Sequence, residues 1–313
     1  MPNKLYLECY SGISGDMTVA ALIDLGADQQ VLMEGLESLN LPGYQLKIGR
    51  VKKNGIDACD FDVILDEPGH HHDHEHEHDH EHPHEHEHEH HHDHDHEHHH
   101  DHDHEHHHDH DHEHHHEHDH DHDHDHEHHH DHDHEHHHHH DHVHRNIGDI
   151  FAIIDQSKIS DRAKQTAKDI FRIIAAAESK AHGIAEDQVH FHEVGAVDSI
   201  VDIVSAAICL DNLDITEAVV SDLYEGCGYV HCQHGLMPVP VPAVVNIAAD
   251  NALRLRLTQT RGEMITPTGA AIAAYLSKGG KLPESFVIEK IGLGAGKKDF
   301  ATANILRAFL IRD

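Results

Sequence analysis

The sequence contains no tryptophan, and aromatic residues make up only 4% of its 313 residues. It has no apolar run close to the roughly 20 residues that a membrane helix needs, so we expect no membrane partner. Residues 1–8 do not combine a basic segment with an apolar core, which argues against a signal peptide. The five cysteines are odd in number and scattered, so they predict no disulfide framework. These absences favour a cytoplasmic protein.

Basic residues are also scarce: 22 Lys and Arg stand against 59 Asp and Glu, which gives a formal net charge of −37. Much of the excess lies in residues 70–144, the His tract, which holds 46 His, 27 acidic residues and no Lys or Arg. Elsewhere 32 acidic residues oppose the 22 basic ones, a net charge of −10. No basic stripe remains, so we expect no nucleic-acid partner.

The His tract has almost nothing apolar to bury, so it predicts a disordered, solvated insertion. Neutral imidazole binds Ni, Cu, Zn and Co ions, and the alternating carboxylates help to gather dications. Many alternative sites of modest affinity would make the tract a metal reservoir; a plain spacer or a purification tag is the weaker interpretation. The longer histidine runs supply its representative ligands: His70, His71, His72, His90, His91, His92, His98, His99, His100, His136, His137, His138, His139 and His140.

The residues on either side of the tract predict an α/β fold with a mixed sheet and helices. In domain terms, residues 1–69 and 145–313 form two parts of one α/β domain, and 70–144 interrupt it. Strands are predicted at Lys4–Cys9, Gln45–Val51, Ala58–Leu65, Gln188–His192, from Val219 onward, Phe286–Ile291 and Asn304–Ile311. Helices are predicted at Met17–Leu25, Asn146–Asp155, Asp161–Ala181, Ala196–Leu210, Pro242–Leu253 and Thr268–Leu276.

Two segments rich in glycine and hydroxyl groups precede predicted helices. Helix N-terminal amides favour an anion, so both segments are candidates for a phosphate-bearing ligand. The first lacks the lysine of a Walker A loop, and for both a purely structural turn and helix cap stays open. The candidate ligand-binding residues are Ser11, Gly12, Ser14, Gly15 and Asp16 in the first segment, and Thr266, Thr268 and Gly269 in the second.

Histidines and carboxylates converge on one predicted strand–helix junction. His190 and His192 would share one face of a strand, with Glu193 next to them. Asp198 and Asp202 would lie one turn apart on the following helix. The histidines suit metal binding and the group as a whole suits acid–base catalysis, although capping and ion pairing are the structural alternative.

A further group of thiols and imidazoles lies at residues 227–235, with two cysteines and two histidines. Its spacing is not that of a CxxC pair, so a zinc-ribbon interpretation is weak. A β-hairpin with incidental cysteines is favoured over a second metal contact.

Five segments together resemble the LarC family, the nickel insertion proteins of nickel-pincer cofactor biosynthesis. They occur in family order, span nearly the whole chain outside the tract, and are accompanied by a His-rich insertion typical of that family. The segments are Glu8–Met17, His190–Asp202, His234–Pro240, Thr266–Ala270 and Gly292–Gly296.

The resemblance implies a nickel cyclometallase or chelatase, a lyase that inserts Ni²⁺ into pyridinium-3,5-bisthiocarboxylic acid mononucleotide. The product, with one nickel–carbon and two nickel–sulfur bonds, would serve lactate racemase and related enzymes. The family couples insertion to CTP hydrolysis, with a divalent cation such as Mg²⁺ or Mn²⁺. A base must remove a ring proton, and we assign Glu193 or His192 to that step as a hypothesis.

The family extends past the Gly292–Gly296 motif into a C-terminal domain that binds CTP and metal, whereas this sequence stops at Asp313. We therefore expect a separate C-terminal LarC-type polypeptide as a partner, a CTP site outside this chain, and homo-oligomers. The competing hypothesis is a non-enzymatic nickel store or chaperone, although such chaperones pair their His tracts with a Walker A loop. A third is another nucleotide-binding enzyme with an unrelated insertion.

The His tract predicts metal binding that collapses between pH 7.5 and 5.5. With an ordinary imidazole pKa of about 6.5, about 90% of the histidines are neutral at the upper pH and about 10% at the lower. Calorimetry with Ni²⁺ at both pH values measures the stoichiometry directly. Equal stoichiometry at both would refute the reservoir hypothesis.

Overall fold

The computed structural model describes residues 3–66, 145–189, 197–232 and 234–312. The predicted disordered insertion and His190, His192 and Glu193 lie outside the described residues. The helices are α1 Gly15–Leu25, α2 Gln29–Glu37, α3 Ile147–Gln156, α4 Asp161–His182, α5 Val197–Asn212, α6 Pro242–Asp250 and α7 Pro267–Leu276. The strands are β1 Asn3–Glu8, β2 Tyr44–Lys53, β3 Ile56–Leu65, β4 Ile215–Val220, β5 Leu223–Cys227, β6 Tyr229–Cys232, β7 Gly235–Pro238, β8 Leu255–Arg261, β9 Val287–Ala295 and β10 Ile305–Arg312.

Six strands form one mixed sheet in the order β2-β3-β9-β10-β1-β4. β1 pairs in parallel with β4 and antiparallel with β10, and β3 meets β9 in parallel. Strands from both sides of the His tract therefore share a single sheet. The predicted α/β class with a mixed sheet is confirmed. Two further pairs are separate: β5 with β8, and the antiparallel hairpin β6–β7.

Both faces of the sheet are covered at β1, which explains its run of apolar residues. Leu5 and Leu7 are fully buried in the main core, together with the apolar side of α1. Tyr6 points to the other face, where it stacks on Phe309 at 5.7 Å between ring centroids. The period-2 alternation of a strand thus supplies two cores.

Helix α1 lies unusually close to β9, and glycine makes the approach possible. A Cβ on Gly294 would lie 2.0 Å from the Met17 carbonyl oxygen, and one on Gly292 would lie 2.1 Å from that of Ala21. Any side chain at these positions would separate the helix from the sheet. The Gly292–Gly296 motif is therefore explained first by packing.

Several predicted elements need correction. Gln188 closes a 3₁₀ turn instead of starting a strand, and Val189 is not in a strand. Val219 and Val220 end β4 instead of starting it, because the strand begins right after a turn in which Asp214 has positive φ. The sixth helix ends at Asp250, three residues early. Prediction also missed α2, β5 and β8; α2 has a weak apolar pattern and buries only two of its nine residues.

None of the helices in the described ranges has the length and hydrophobicity of a membrane span.

The contact between α1 and β9 predicts a large cost for Gly294→Ala. Forcing a methyl group into helix backbone should lower the free energy of unfolding by about 1–3 kcal/mol. Gly49→Ala in β2 is the matched control, because a Cβ there meets nothing within 4 Å. Urea denaturation measures both; equal stability of the two variants would show that the close approach is not required.

Candidate functional site

The N-terminal ends of α1, α5 and α7 border a cavity of about 400 Å³. Seven residues singled out from the sequence come together in its lining: Ser14, Gly15, Asp16, Asp198, Asp202, Thr266 and Thr268. The other lining residues are Phe61, Asp62, Val63, Ser199, Glu263, Pro267 and Lys297. Segments far apart in sequence thus converge on one space, here called the acidic cavity.

Backbone contacts tie the two glycine- and hydroxyl-rich segments together. The Ile13 N–H donates to the Met264 carbonyl at 3.0 Å, and the Ile13 carbonyl accepts from the Thr266 N–H at 3.1 Å. Gly12 has φ +87°, and a Cβ there would lie 2.0 Å from the Met264 carbonyl oxygen. A Cβ on Gly269 would lie 2.2 Å from that of Ile13. Gly12 and Gly269 therefore allow this close contact.

These glycines, like Ser11, are not among the residues that line the acidic cavity. Thr266 acts as the N-cap of α7, since its hydroxyl accepts from the Gly269 N–H at 3.1 Å. The capping role considered for this segment is thus present in the structure.

The N-terminal amides of α1 bind carboxylates of the chain itself. The Asp16 N–H donates to the Asp202 carboxylate, and the Met17 N–H donates to that of Asp16. The Ser14 hydroxyl also donates to Asp16. A Cβ on Gly15 would lie 2.5 Å from Asp202 Oδ2, so only glycine allows this approach. The amides considered for phosphate binding therefore already have anionic partners.

Folding removes Asp16, Asp198 and Asp202 of this cavity from water, which disfavours the charged form of their carboxyl groups. Burial raises the pKa of Asp202 well above its usual range, and the charges of Asp16 and Asp198 raise it further. Burial also raises the pKa of Asp16 and of Asp198. Within the described residues, the Oδ1 atoms of Asp198 and Asp202 are buried without a hydrogen-bond partner. Binding of a cation or a proton lowers the free energy of such buried carboxylates.

Lys297 is the one basic residue among the described residues that line the acidic cavity. Its ammonium lies 2.8 Å from Asp60 Oδ1 and 3.1 Å from Asp62 Oδ1. Burial lowers the pKa of Lys297, but these two hydrogen bonds outweigh burial and leave the pKa raised. Its charge is shared with two carboxylates, so the cavity remains strongly acidic.

Glu225 is a supporting residue that sequence reasoning missed. It is fully buried, and its Oε1 accepts from the N–H groups of Gly226, Met264 and Ile265 at 2.7, 2.7 and 3.2 Å. Burial raises its pKa to about 7. The side chain fixes the segment between β8 and Thr266. Its only sequence signal is an acid inside an otherwise uncharged strand.

Three members of the thiol and imidazole group, His231, Cys232 and His234, lie on the predicted β-hairpin, now β6–β7, whereas Cys227 ends β5. Cys232 Sγ is 4.0 Å from His234 Nδ1, and the rings of His182 and His234 are 5.0 Å apart. Across the part of the chain that the structure describes, no three His, Cys, Asp or Glu side chains are arranged to hold a metal ion. The hairpin is therefore present, and its described residues do not form a preformed metal site.

Comparison with known proteins gives a consistent result. A family model described as nickel insertion protein matches residues 5–313. A protein of Alkaliphilus metalliredigens named pyridinium-3,5-bisthiocarboxylic acid mononucleotide nickel insertion protein is 54% identical over 100% of this chain and 61% of its own length. One of the same name from Clostridium acetobutylicum is 40% identical over 98% of this chain and 63% of its own length.

A putative nickel insertion protein of Dictyoglomus thermophilum is 31% identical over 98% of this chain and 60% of its own length. The chain thus spans about three fifths of the length of these relatives. No solved structure matches it.

The raised pKa of Asp202 predicts that replacing its carboxyl group with a neutral one stabilises the folded chain by an amount that depends on pH. In the unfolded chain its carboxyl ionises near pH 4, whereas burial keeps the folded pKa well above that value. Ionisation therefore destabilises the folded state increasingly as the pH rises above about 4. Asp202→Asn should raise Tm relative to wild type at pH 7 and much less at pH 4, as measured by calorimetry.

The control is Asp187→Asn at an exposed acid outside the cavity, which should shift Tm little at either pH. A lower Tm for Asp202→Asn at pH 7, with no change at pH 4, would contradict this assignment.

Proposed function

Because the chain belongs to the nickel insertion protein family, we propose that it takes part in inserting Ni²⁺ into pyridinium-3,5-bisthiocarboxylic acid mononucleotide. The observation that carries this proposal is the pair of buried, unpartnered carboxylate oxygens of Asp198 and Asp202. They lie in a cavity whose lining has five acids and one lysine. A dication is the reactant that such a cavity stabilises most.

The lack of a ready-made metal cage among the described residues suits an insertion reaction. A closed set of protein ligands binds a metal structurally, whereas a reactive site keeps positions open. The thiocarboxylates of the substrate would supply two sulfur ligands. The protein then needs only to attract the ion and release it, and Asp198 and Asp202 can do both.

The same carboxylates offer a base for the ring proton. When the ring C–H bond breaks, the electron pair forms the nickel–carbon bond and the proton passes to a carboxylate. A buried carboxylate with a raised pKa is a stronger base than an exposed one. We assign this step to Asp202 or Asp198. Glu193 and His192, outside the described residues and shortly before α5, stay predicted candidates, as does His190 as a metal ligand.

CTP, with Mg²⁺ or Mn²⁺, does not fit the acidic cavity. Its triphosphate would meet Asp16, Asp62 and Asp202, and the Asp16 and Met17 amides are already bonded. We propose that CTP binds outside this chain. A separate polypeptide corresponding to the rest of the relatives would then complete a cytoplasmic lyase, a nickel cyclometallase or chelatase that serves lactate racemase-type enzymes. Homo-oligomers stay an expectation.

The alternative function is nickel storage or delivery without chemistry, and the His tract favours it. The two functions differ in what the tract does. As a reservoir feeding a separate site, the tract can be removed without loss of insertion when nickel is abundant. As the store itself, its removal abolishes function at every nickel concentration.

An insertion assay with the chain and the proposed partner polypeptide tests the leading function. Asp202→Asn and Asp198→Asn should each slow insertion by about tenfold or more, the usual scale for losing a general base. Asp187→Asn is the control and should match wild type. Removal of residues 70–144 should leave the rate intact at high nickel and reduce it at low nickel. Wild-type rates in both aspartate variants would eliminate the acidic cavity as the reaction site.

A further inference from the structure

A second cavity, of about 650 Å³, opens at the carboxyl ends of β1 and β4. Its lining is cationic in balance, with Asp222 as the one acid among the described residues that line it. It includes Tyr10 and Tyr224, the Ser221 hydroxyl, and three cationic side chains, Arg254, Arg256 and Lys281. We call it the tyrosine–arginine cavity.

Three cations in one cavity are a strong local concentration in this chain, where acids outnumber Lys and Arg by 59 to 22. Arg256 is tied to Asp222, with Nε 2.6 Å from Oδ2. Arg254 and Lys281 form no ion pair with any carboxylate in the described ranges. Their charges are therefore available to an anion, and guanidinium with ammonium suits phosphate.

Two aromatic rings border the same space. The rings of Tyr10 and Tyr224 lie 5.0 Å apart between centroids, at 52° to each other. Tyr10 is 48% exposed, so part of its surface is open to a ligand. Flat nitrogen-containing rings stack on such side chains, and a pyridinium adds attraction between its charge and the aromatic face.

We propose that the tyrosine–arginine cavity binds a nucleotide. Arg254 and Lys281 hold its phosphate, and Tyr10 and Tyr224 contact its ring. Because CTP is assigned to a site outside this chain, the nucleotide meant here is a pyridinium mononucleotide, and that assignment rests on the proposed function. The loop from Tyr10 to Ser14 joins the two cavities, since Tyr10 lines one and Ser14 the other. The anionic substrate would thus bind first where the lining is cationic, and its ring would then move to the acidic cavity for the insertion step proposed above.

Calorimetric binding to the full chain tests the proposal. The probes are nicotinate mononucleotide, which is a pyridinium-3-carboxylate ribonucleotide, CTP and inorganic phosphate. The buffer is held at pH 8 with a chelator, so that the histidines are neutral and no metal bridges phosphate to the His tract. We expect a nucleotide to bind at least about tenfold more tightly than phosphate, the scale of one stacking contact.

The variants assign the binding to this cavity. Arg254→Gln with Lys281→Gln should weaken nucleotide binding by about tenfold or more, and Tyr224→Ala should remove the preference over phosphate. Lys47→Gln with Lys52→Gln, two exposed cations on β2, removes the same net charge and should bind like wild type.

Tighter binding of the pyridinium nucleotide than of CTP supports the proposal, and tighter binding of CTP overturns it, because CTP is assigned to a site outside this chain. No nucleotide binding, binding equal to that of phosphate, or full binding by the double variant overturns the proposal. Because no nickel is present, failure here is distinguishable from failure of the insertion assay.

Discussion

The contact between Asp202 and the first turn of α1 is the constraint on which the site depends. A carboxylate from the second turn of α5 accepts a hydrogen bond from the Asp16 amide, and Gly15 has no side chain to keep it away. The positive end of the α1 dipole stabilises this charge in part. Burial and the neighbouring Asp16 and Asp198 oppose it, and Oδ1 of Asp202 is left without a partner. The fold thus keeps negative charge in a place where a metal ion would relieve the cost.

Packing around this contact explains why glycine recurs in the motifs. Gly12 and Gly269 allow the loop after β1 to contact the segment that leads into α7. The Glu225 carboxylate holds that segment by accepting hydrogen bonds from the Met264 and Ile265 N–H groups. Gly292 and Gly294 set α1 tightly on β9. The helix that supplies Asp16 is therefore positioned by backbone-to-backbone contact. Positions set in this way tolerate little change in side-chain volume.

Local patterns in the sequence predicted much of the fold. The alternation at Lys4–Cys9 predicted β1, Gly26 marked the end of α1, and Asn54-Gly55 marked the β2–β3 turn. Strand order was out of reach, because β10 is adjacent to β1 only through pairings about 300 residues apart in sequence, although its pairing with β9 is local. In the site, the spacing of Asp198 and Asp202 placed both carboxylates together. Their contact with α1, and the roles of Lys297 and Glu225, depend on tertiary packing that no local pattern encodes.

The most direct test of the central claim is the rise in Tm that Ni²⁺ causes at pH 7.5. We expect the His tract, whose sequence offers almost nothing apolar to bury, to bind nickel whether or not the rest of the chain is folded, and such binding does not raise stability. Only a site created by folding shifts the transition. We predict a clear rise for the wild-type chain and none for a chain carrying both Asp198→Asn and Asp202→Asn. The same rise in both proteins would contradict the account.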